Sequence, residues 1–175
     1  MRFRPYVILA DNGVRVSVSV SEATDADLLS TAEDPKWQSD WTSDYLSKPD
    51  ISKYAIKTQE GECIGLAAYQ IIGKSAYVFI LYAESAPHSN PTQTCKEHRK
   101  YYGIGQLLVA FGIKYSIDNG CRGDVVFDAK TEELAKHYEK DFKAKRVAGG
   151  YDGIKRYMLA DDDAWQLFSV YLEED

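Results

Sequence analysis

The sequence predicts an α/β (α+β) fold in which helices flank a mixed, mostly antiparallel central sheet. Three β-rich runs follow one another between Lys53 and Tyr82, as in a meander of neighbouring strands. A helical pattern, a buried strand and a second helical pattern then alternate, which is typical of α/β architecture. With 175 residues and 45% hydrophobic content, the chain is suited to a single domain covering residues 1–175.

The N-terminal third predicts a hairpin, a helix and an irregular segment. Asp11-Asn12-Gly13 is a strong turn signal between two short β-rich runs, Tyr6–Ala10 and Val14–Val20. Residues 21–32 have helix-compatible composition. In the irregular residues 33–52, aromatic side chains recur at every fourth position: Trp37, Trp41 and Tyr45. We interpret them as one side of a short helix packed on the sheet; a substrate-lining role is the alternative.

The rest of the chain predicts the central sheet and its helices. The predicted strands are Lys53–Lys57, Cys63–Ile72, Ala76–Tyr82 and Val125–Asp128, with a closing hairpin of Arg146–Val147 and Arg156–Leu159. The predicted helices are Thr131–Phe142, capped by Thr131, and Ala164–Glu173.

Composition narrows the function. A net charge of −6 argues against a general nucleic-acid binder. No apolar run approaches the roughly 20 residues that span a bilayer, and the apolar stretch near the N-terminus is too short for a signal peptide. The cysteines Cys63, Cys95 and Cys121 show no metal-ligand or redox spacing. We therefore expect free thiols in a reducing cytoplasm, no metal and no membrane.

The most informative stretch runs from Arg99 to Gly120. A polar loop with two glycines, Gly103 and Gly105, opens directly into a helix that Asn119-Gly120 is suited to end. The unpaired N–H groups at a helix start, together with the positive end of the helix dipole, favour an anion. Because glycine leaves those donors accessible, a pyrophosphate is the ligand that suits the loop best.

The hexapeptide Lys100 to Gly105 resembles the Q/R-x-x-G-x-G/A signature of the GCN5-related N-acetyltransferases (GNATs), with lysine in the first position. Ala135-Lys136-His137-Tyr138 resembles a second conserved region of that family. The resemblance implies a GNAT fold and an acetyl-CoA-dependent N-acetyltransferase. It also implies that the pyrophosphate is held by the following residues: Lys100, Tyr101, Tyr102, Gly103, Ile104, Gly105 and Gln106.

The same resemblance implies roles for residues outside the loop. The thioester carbonyl should be held by backbone N–H groups around Tyr82 to Ala86, which includes Ser85 in the acyl-CoA site. Glu84 is the predicted base for the amine, with His88 as the reserve, and Tyr138 is the predicted acid for the CoA thiolate. Each has a structural alternative: a solvated strand end for Glu84, a loop residue for His88 and a core aromatic for Tyr138.

Three departures from the family pattern stand out. Lys100 keeps a donor but loses bidentate geometry. Phe142 and Lys143 replace a Gly-Phe pair. The polar connection Pro87–Glu97 is longer than usual, which predicts a lid or specificity loop, with a solvated insertion as the alternative. An acyl-cysteine on Cys95 has no supporting His or Asp spacing.

The acceptor is expected to be a primary amine of a small molecule or peptide, and a homodimer remains open. A non-catalytic acyl-CoA-binding or partner-binding module on the same fold is the alternative function. A toxin-like enzyme that acetylates aminoacyl-tRNA would need a basic face, which the acidic net charge disfavours.

Overall fold

A seven-stranded mixed sheet forms the centre of the computed structural model, which describes residues 1–94 and 98–175. Its strands are β4 (Ser19–Glu22), β5 (Ile51–Lys57), β6 (Cys63–Ile72), β7 (Tyr77–Ser85), β9 (Val125–Ala129), β10 (Lys145–Val147) and β11 (Lys155–Leu159). Their order is β10-β11-β9-β7-β6-β5-β4, and only β7 and β9 pair in parallel. The predicted mixed, mostly antiparallel sheet is therefore confirmed.

Within the described residues, two small sheets and four α-helices complete the fold. β2 (Tyr6–Leu9) lies between β3 (Arg15–Ser17) and β8 (Tyr101–Tyr102), and β1 (Arg2–Phe3) pairs with β12 (Leu172–Glu173). The helices are α1 (Asp25–Ser30), α2 (Ile104–Asp118), α3 (Glu132–Lys140) and α4 (Asp161–Ser169), with a short 3₁₀ helix at Asp44–Ser47. Among the described residues, no helix is long and apolar enough to cross a membrane.

The two faces of the sheet carry separate cores. On one face, α2 buries Leu107, Leu108 and Ile113 completely or nearly so against β6 and β7. On the opposite face, Trp41 and Leu46 from the segment after α1 pack on the sheet. The helix α2 is buried on more of its surface than a single apolar stripe, since α4 covers part of its outer side.

Three sequence-based predictions need correction. The predicted strand Val14–Val20 is split between β3 and β4, which belong to different sheets. Residues 37–43 are not helical, so aromatic residues at every fourth position do not mark one helix face here. Of the three aromatic residues, Trp41 alone is fully buried, and Tyr45 is exposed. The last helix begins at Asp161 and ends at Ser169, because the chain then extends to pair β12 with β1.

A β-bulge interrupts β7. Ala68 pairs with Tyr82, whereas the next residue Tyr69 pairs with Ile80, so Leu81 is the extra residue on β7. Successive side chains of a strand point to opposite faces of the sheet. One extra residue therefore turns each later side chain to the face opposite the one that strict alternation would give it. Val78 and Ile80 therefore face α2, whereas Tyr82 beyond the bulge packs on the opposite core.

Candidate active site

A gap opens between β7 and β9 beyond the bulge. The parallel pairing runs from Val78 and Val125 to Ile80 and Phe127 and includes no later residue of β7. Ala83 lies in the middle of the sheet and is nevertheless exposed. The strands therefore part after Ile80 and leave the last half of β7 uncovered on one edge.

Two backbone N–H groups point into this gap. Ala86 N donates to Ile64 O on the β6 side at 2.8 Å. Because backbone groups of alternate residues face the same neighbouring strand, those of Ala83 and Ser85 face away from β6 and towards the gap. The gap thus lies at the predicted thioester position, Tyr82 to Ala86, with donors aimed into it.

The predicted phosphate loop forms the N-terminus of α2. Gly103 is the N-cap with φ of 88°, and as a glycine it supplies no side-chain cap. The first helical bond runs from Leu107 N to Gly103 O, which leaves the N–H groups of Ile104, Gly105 and Gln106 without intrahelical partners. A Cβ on Gly103 or Gly105 would meet nothing within 4 Å, so the backbone of the loop is open on the side where these residues lack a side chain. These are the features expected of an oxyanion cradle.

The loop and the gap lie at the same end of the sheet. Gly65 on β6 pairs with Ser85 on β7. A Cβ on Gly65 would lie 2.8 Å from Ile104 Cγ2, so the first turn of α2 rests directly on this glycine. Gly65 was not among the predicted site residues, although a glycine inside an apolar strand is a signal of close backbone approach.

The approach to the loop differs from the prediction. Tyr101 and Tyr102 form the short strand β8, which pairs with Leu9 and Ile8 of β2, where we predicted only a loop. The Lys100 ammonium lies 3.8 Å from the Glu62 carboxylate, on the surface. The backbone of β8 therefore fixes the entry to Gly103.

Glu84 is buried, and its carboxylate accepts three hydrogen bonds from one segment. Gln38 N donates to Oε2 at 2.6 Å, and Ser39 N and Trp41 Nε1 both donate to Oε1 at 3.0 Å. The alternative of a solvated strand end is therefore wrong. The role of Glu84 as a base stays a prediction. Neither Gln38 nor Ser39 carried a sequence signal for this contact.

His88 lies beside the predicted phosphate loop. Its Nδ1 is 2.7 Å from Ser89 Oγ, and its Nε2 is 2.6 Å from Glu62 Oε1. Its carbonyl accepts from Lys100 N at 2.9 Å. His88 is therefore joined to the strand that enters the loop rather than being a plain loop residue.

Tyr138 lies on α3 where the two strands part. Its ring contacts that of Phe127, 4.7 Å between centroids, and Phe127 pairs with Ile80, the last residue of β7 that pairs with β9. Burial raises the pKa of the Tyr138 hydroxyl to about 12. A phenol keeps its proton at neutral pH even without this shift, so the shift makes Tyr138 a weaker acid and does not by itself support the predicted role.

Two further features border the gap on the side opposite α2. The Lys130 ammonium, which follows β9, lies 4.4 Å from the centre of the Tyr82 ring on β7. The inserted connection contacts the chain just before the segment bound by Glu84, since Gln93 Nε2 donates to Lys36 O at 2.9 Å. Cys95, Lys96 and Glu97, which the predicted lid includes, lie outside the described residues. No sequence pattern indicated Lys130.

The described residues contain no group of three or more His, Cys, Asp or Glu side chains that could hold a metal ion. Burial raises the pKa of the Cys63 thiol to about 12, so this cysteine is not a nucleophile at neutral pH.

No family model and no curated protein matches the chain. Solved structures do match. Aminoglycoside acetyltransferase AAC(6')-Ib, in complex with coenzyme A and kanamycin, is 19% identical with a TM-score of 0.58, covering 86% of this chain and 98% of that one. Spermidine N-acetyltransferase from Vibrio cholerae, with CoA and spermine, is 14% identical with a TM-score of 0.56, covering 84% and 97%. A Bacillus subtilis acetyltransferase in complex with CoA is 15% identical with a TM-score of 0.53, covering 82% and 97%. The chain therefore has the fold of the GNAT acetyltransferases.

Proposed function

We propose that this protein is an acetyl-CoA-dependent N-acetyltransferase that transfers the acetyl group to a primary amine. The observation that supports it most is the placement of two sets of backbone donors at one end of the sheet. The helix start at 104–106 offers N–H groups to a pyrophosphate, and Ala83 and Ser85 offer theirs to the pantetheine arm and the thioester carbonyl. An acyl-CoA needs both sites, whereas a free phosphate needs only the first.

In the reaction, the amine nitrogen forms a bond to the thioester carbonyl carbon, and the bond from that carbon to sulfur breaks. The backbone donors of β7 stabilise the negative charge that develops on the carbonyl oxygen. The proton lost by the amine passes to a base, for which the sequence predicts Glu84 with His88 in reserve. The departing thiolate takes a proton from the Tyr138 hydroxyl, which is protonated at neutral pH as in any tyrosine.

The negative charge of one segment of the protein favours a cationic acceptor. The segment 33–50, which packs on the sheet face opposite α2, contains five acidic residues and two basic ones. Two structural neighbours were solved with the polyamine spermine and the aminoglycoside kanamycin, both of which are amines. The net negative charge of this segment attracts such a substrate towards the protein and speeds its association. A reducing cytoplasm and a homodimer remain predictions beside this proposal.

Release of free CoA thiol from acetyl-CoA tests the proposal, with spermine, kanamycin, amino acids and peptides as acceptors. Acetylation of any amine in this panel supports an enzyme. Acetyl-CoA binding without thiol release across the panel would favour the alternative, a non-catalytic acyl-CoA-binding module.

The variant Gly105→Asp tests the cofactor site separately. Two like charges 5 Å apart repel by about 3 kcal/mol at an effective dielectric constant near 20, so acetyl-CoA affinity should fall by about 100-fold. Gly105→Ala is the matched control, because a methyl group there meets nothing within 4 Å and the family signature admits alanine. Calorimetry on both variants measures the difference, and full affinity in Gly105→Asp would contradict the site.

A further inference from the structure

Glu84 occupies an environment unlike that of an open catalytic base. Oε1 accepts from Ser39 N and Trp41 Nε1, so both of its lone-pair directions are used, and Oε2 accepts from Gln38 N. The residue is 8% exposed, and Trp41 is fully buried. A buried carboxylate that has such donors is satisfied as an anion, and it fixes the donors in return.

The bulge at Leu81 directs Glu84 to this environment. Glu84 pairs with Leu66, which belongs to the core opposite α2. Without the extra residue, strict alternation would turn Glu84 towards α2, away from Gln38 and Trp41. The same irregularity that opens the gap therefore attaches the segment 38–41 to its edge.

The attached segment borders the gap on the face opposite α2. The Trp41 ring meets the Tyr82 ring edge-on at 6.2 Å, and the Lys130 ammonium lies over that same Tyr82 ring. Asn90 Nδ2 also donates to Gln38 Oε1, at 3.4 Å, so the inserted connection braces the segment from outside. If acetyl-CoA enters beside α2, an amine approaches the carbonyl past this segment.

We propose that Glu84 is a positioning residue that holds residues 38–41 as the acceptor-side wall of the gap. This inference rests on the proposed N-acetyltransferase function, because only that function defines an acceptor side of the gap. The attachment of residues 38–41 to Glu84 can be tested without turnover. A base would exchange protons with the amine, whereas the carboxylate of Glu84 must stay bound to its three donors for the wall to persist.

The variants Glu84→Gln and Trp41→Phe test this proposal together. Glu84→Gln turns an amide NH₂ or a neutral oxygen towards donors that now bind a carboxylate, and Trp41→Phe removes one donor and leaves Glu84 intact. Both should speed hydrogen exchange at the backbone amides of residues 38 and 39, measured by mass spectrometry in the absence of acceptor. The acetyl-CoA dissociation constant, measured by calorimetry, should change less than about twofold.

The kinetic readout uses spermine and kanamycin as acceptors. Each variant should raise the acceptor KM by about tenfold, which corresponds to the loss of one hydrogen bond to a charged group. The double variant should be no worse than the poorer single one, because both act through one attachment. The acidic limb of the pH profile should remain in Glu84→Gln.

Three results would overturn the proposal: unchanged exchange at residues 38 and 39 in Glu84→Gln, a flattened acidic limb in that variant, or wild-type acceptor KM in Trp41→Phe. The second result would assign Glu84 as the base. If Glu84→Gln fails to fold, Trp41→Phe still decides, through exchange and acceptor KM. If neither acceptor nor the wider panel is acetylated, the proposed function fails, while the exchange data still show whether Glu84 holds the segment.

Discussion

The variant Gly65→Ala should lower both the free energy of unfolding and the affinity for acetyl-CoA. The added Cβ would lie 2.8 Å from Ile104 Cγ2 and 3.2 Å from Ile56 Cδ1. Carbon atoms in contact prefer about 3.5 to 4.0 Å, so the first turn of α2 must move away from β6 by roughly 1 Å. Ile104 is 2% exposed and Ile56 is fully buried, so neither side chain has free space to yield into. Overpacking of this kind costs about 1 to 3 kcal/mol of unfolding free energy.

The shift also moves the donors of the loop relative to the gap. Because Gly65 pairs with Ser85, the distance between the α2 N-terminus and the β7 donors depends on this contact. A displacement near 1 Å should weaken acetyl-CoA binding by about tenfold, or about 1.4 kcal/mol. Urea unfolding measures the stability and calorimetry measures the affinity.

Gly112→Ala provides the matched control. Its Cβ would lie 3.0 Å from Ile80 Cδ1 and Tyr69 Cε1, two turns along α2 from the loop. It should therefore lose stability while keeping most of its acetyl-CoA affinity. Wild-type unfolding and binding in Gly65→Ala would refute the contact between β6 and α2. Equal affinity losses in both variants would refute its link to the loop.

Two other predictions concern ionisable groups. Tyr138→Phe keeps the ring packing on Phe127 and should lower kcat by about 10² to 10⁴-fold if the phenol protonates the thiolate; wild-type turnover would leave Tyr138 as a core aromatic only. In the native protein, burial raises the pKa of Tyr138 from 10.0 to about 12 and that of Cys63 from 9.0 to about 12. Between pH 9 and 12 the native state therefore binds more protons than the unfolded state, so unfolding free energy should fall as pH rises through this window. Urea unfolding at each pH should show a shallower decline in Tyr138→Phe.

The sequence predicted those elements whose signals are local. The strand Cys63–Ile72 has the predicted bounds, because the turn residues on either side of this continuous β-rich run mark where the strand begins and ends. The helix α2 ends before Gly120, which has φ of 77° as expected of a residue that terminates a helix. The glycine loop was predictable for the same reason, since the helix and its uncapped start belong to one continuous stretch.

The conformation of residues 37–45 could not be predicted from these residues alone. Fourfold spacing of Trp37, Trp41 and Tyr45 imitates a helix face. The segment instead takes its conformation from Glu84, more than forty residues away in sequence, whose carboxylate receives its backbone and indole donors. A tertiary contact of this kind overrides local propensity and leaves no periodic trace.

The bulge at Leu81 explains why the candidate site was harder to predict than the fold. Ala76–Tyr82 is apolar throughout, so no alternation reveals where the faces exchange. Yet the exchange determines that the Ala83 and Ser85 N–H groups face the gap and that the Glu84 side chain turns to the opposite core. The place of Glu84 at the end of a strand predicts a base, but the environment of its carboxylate depends on the extra residue Leu81. The bulge turns that carboxylate towards three hydrogen-bond donors of the protein, which it binds before any substrate arrives.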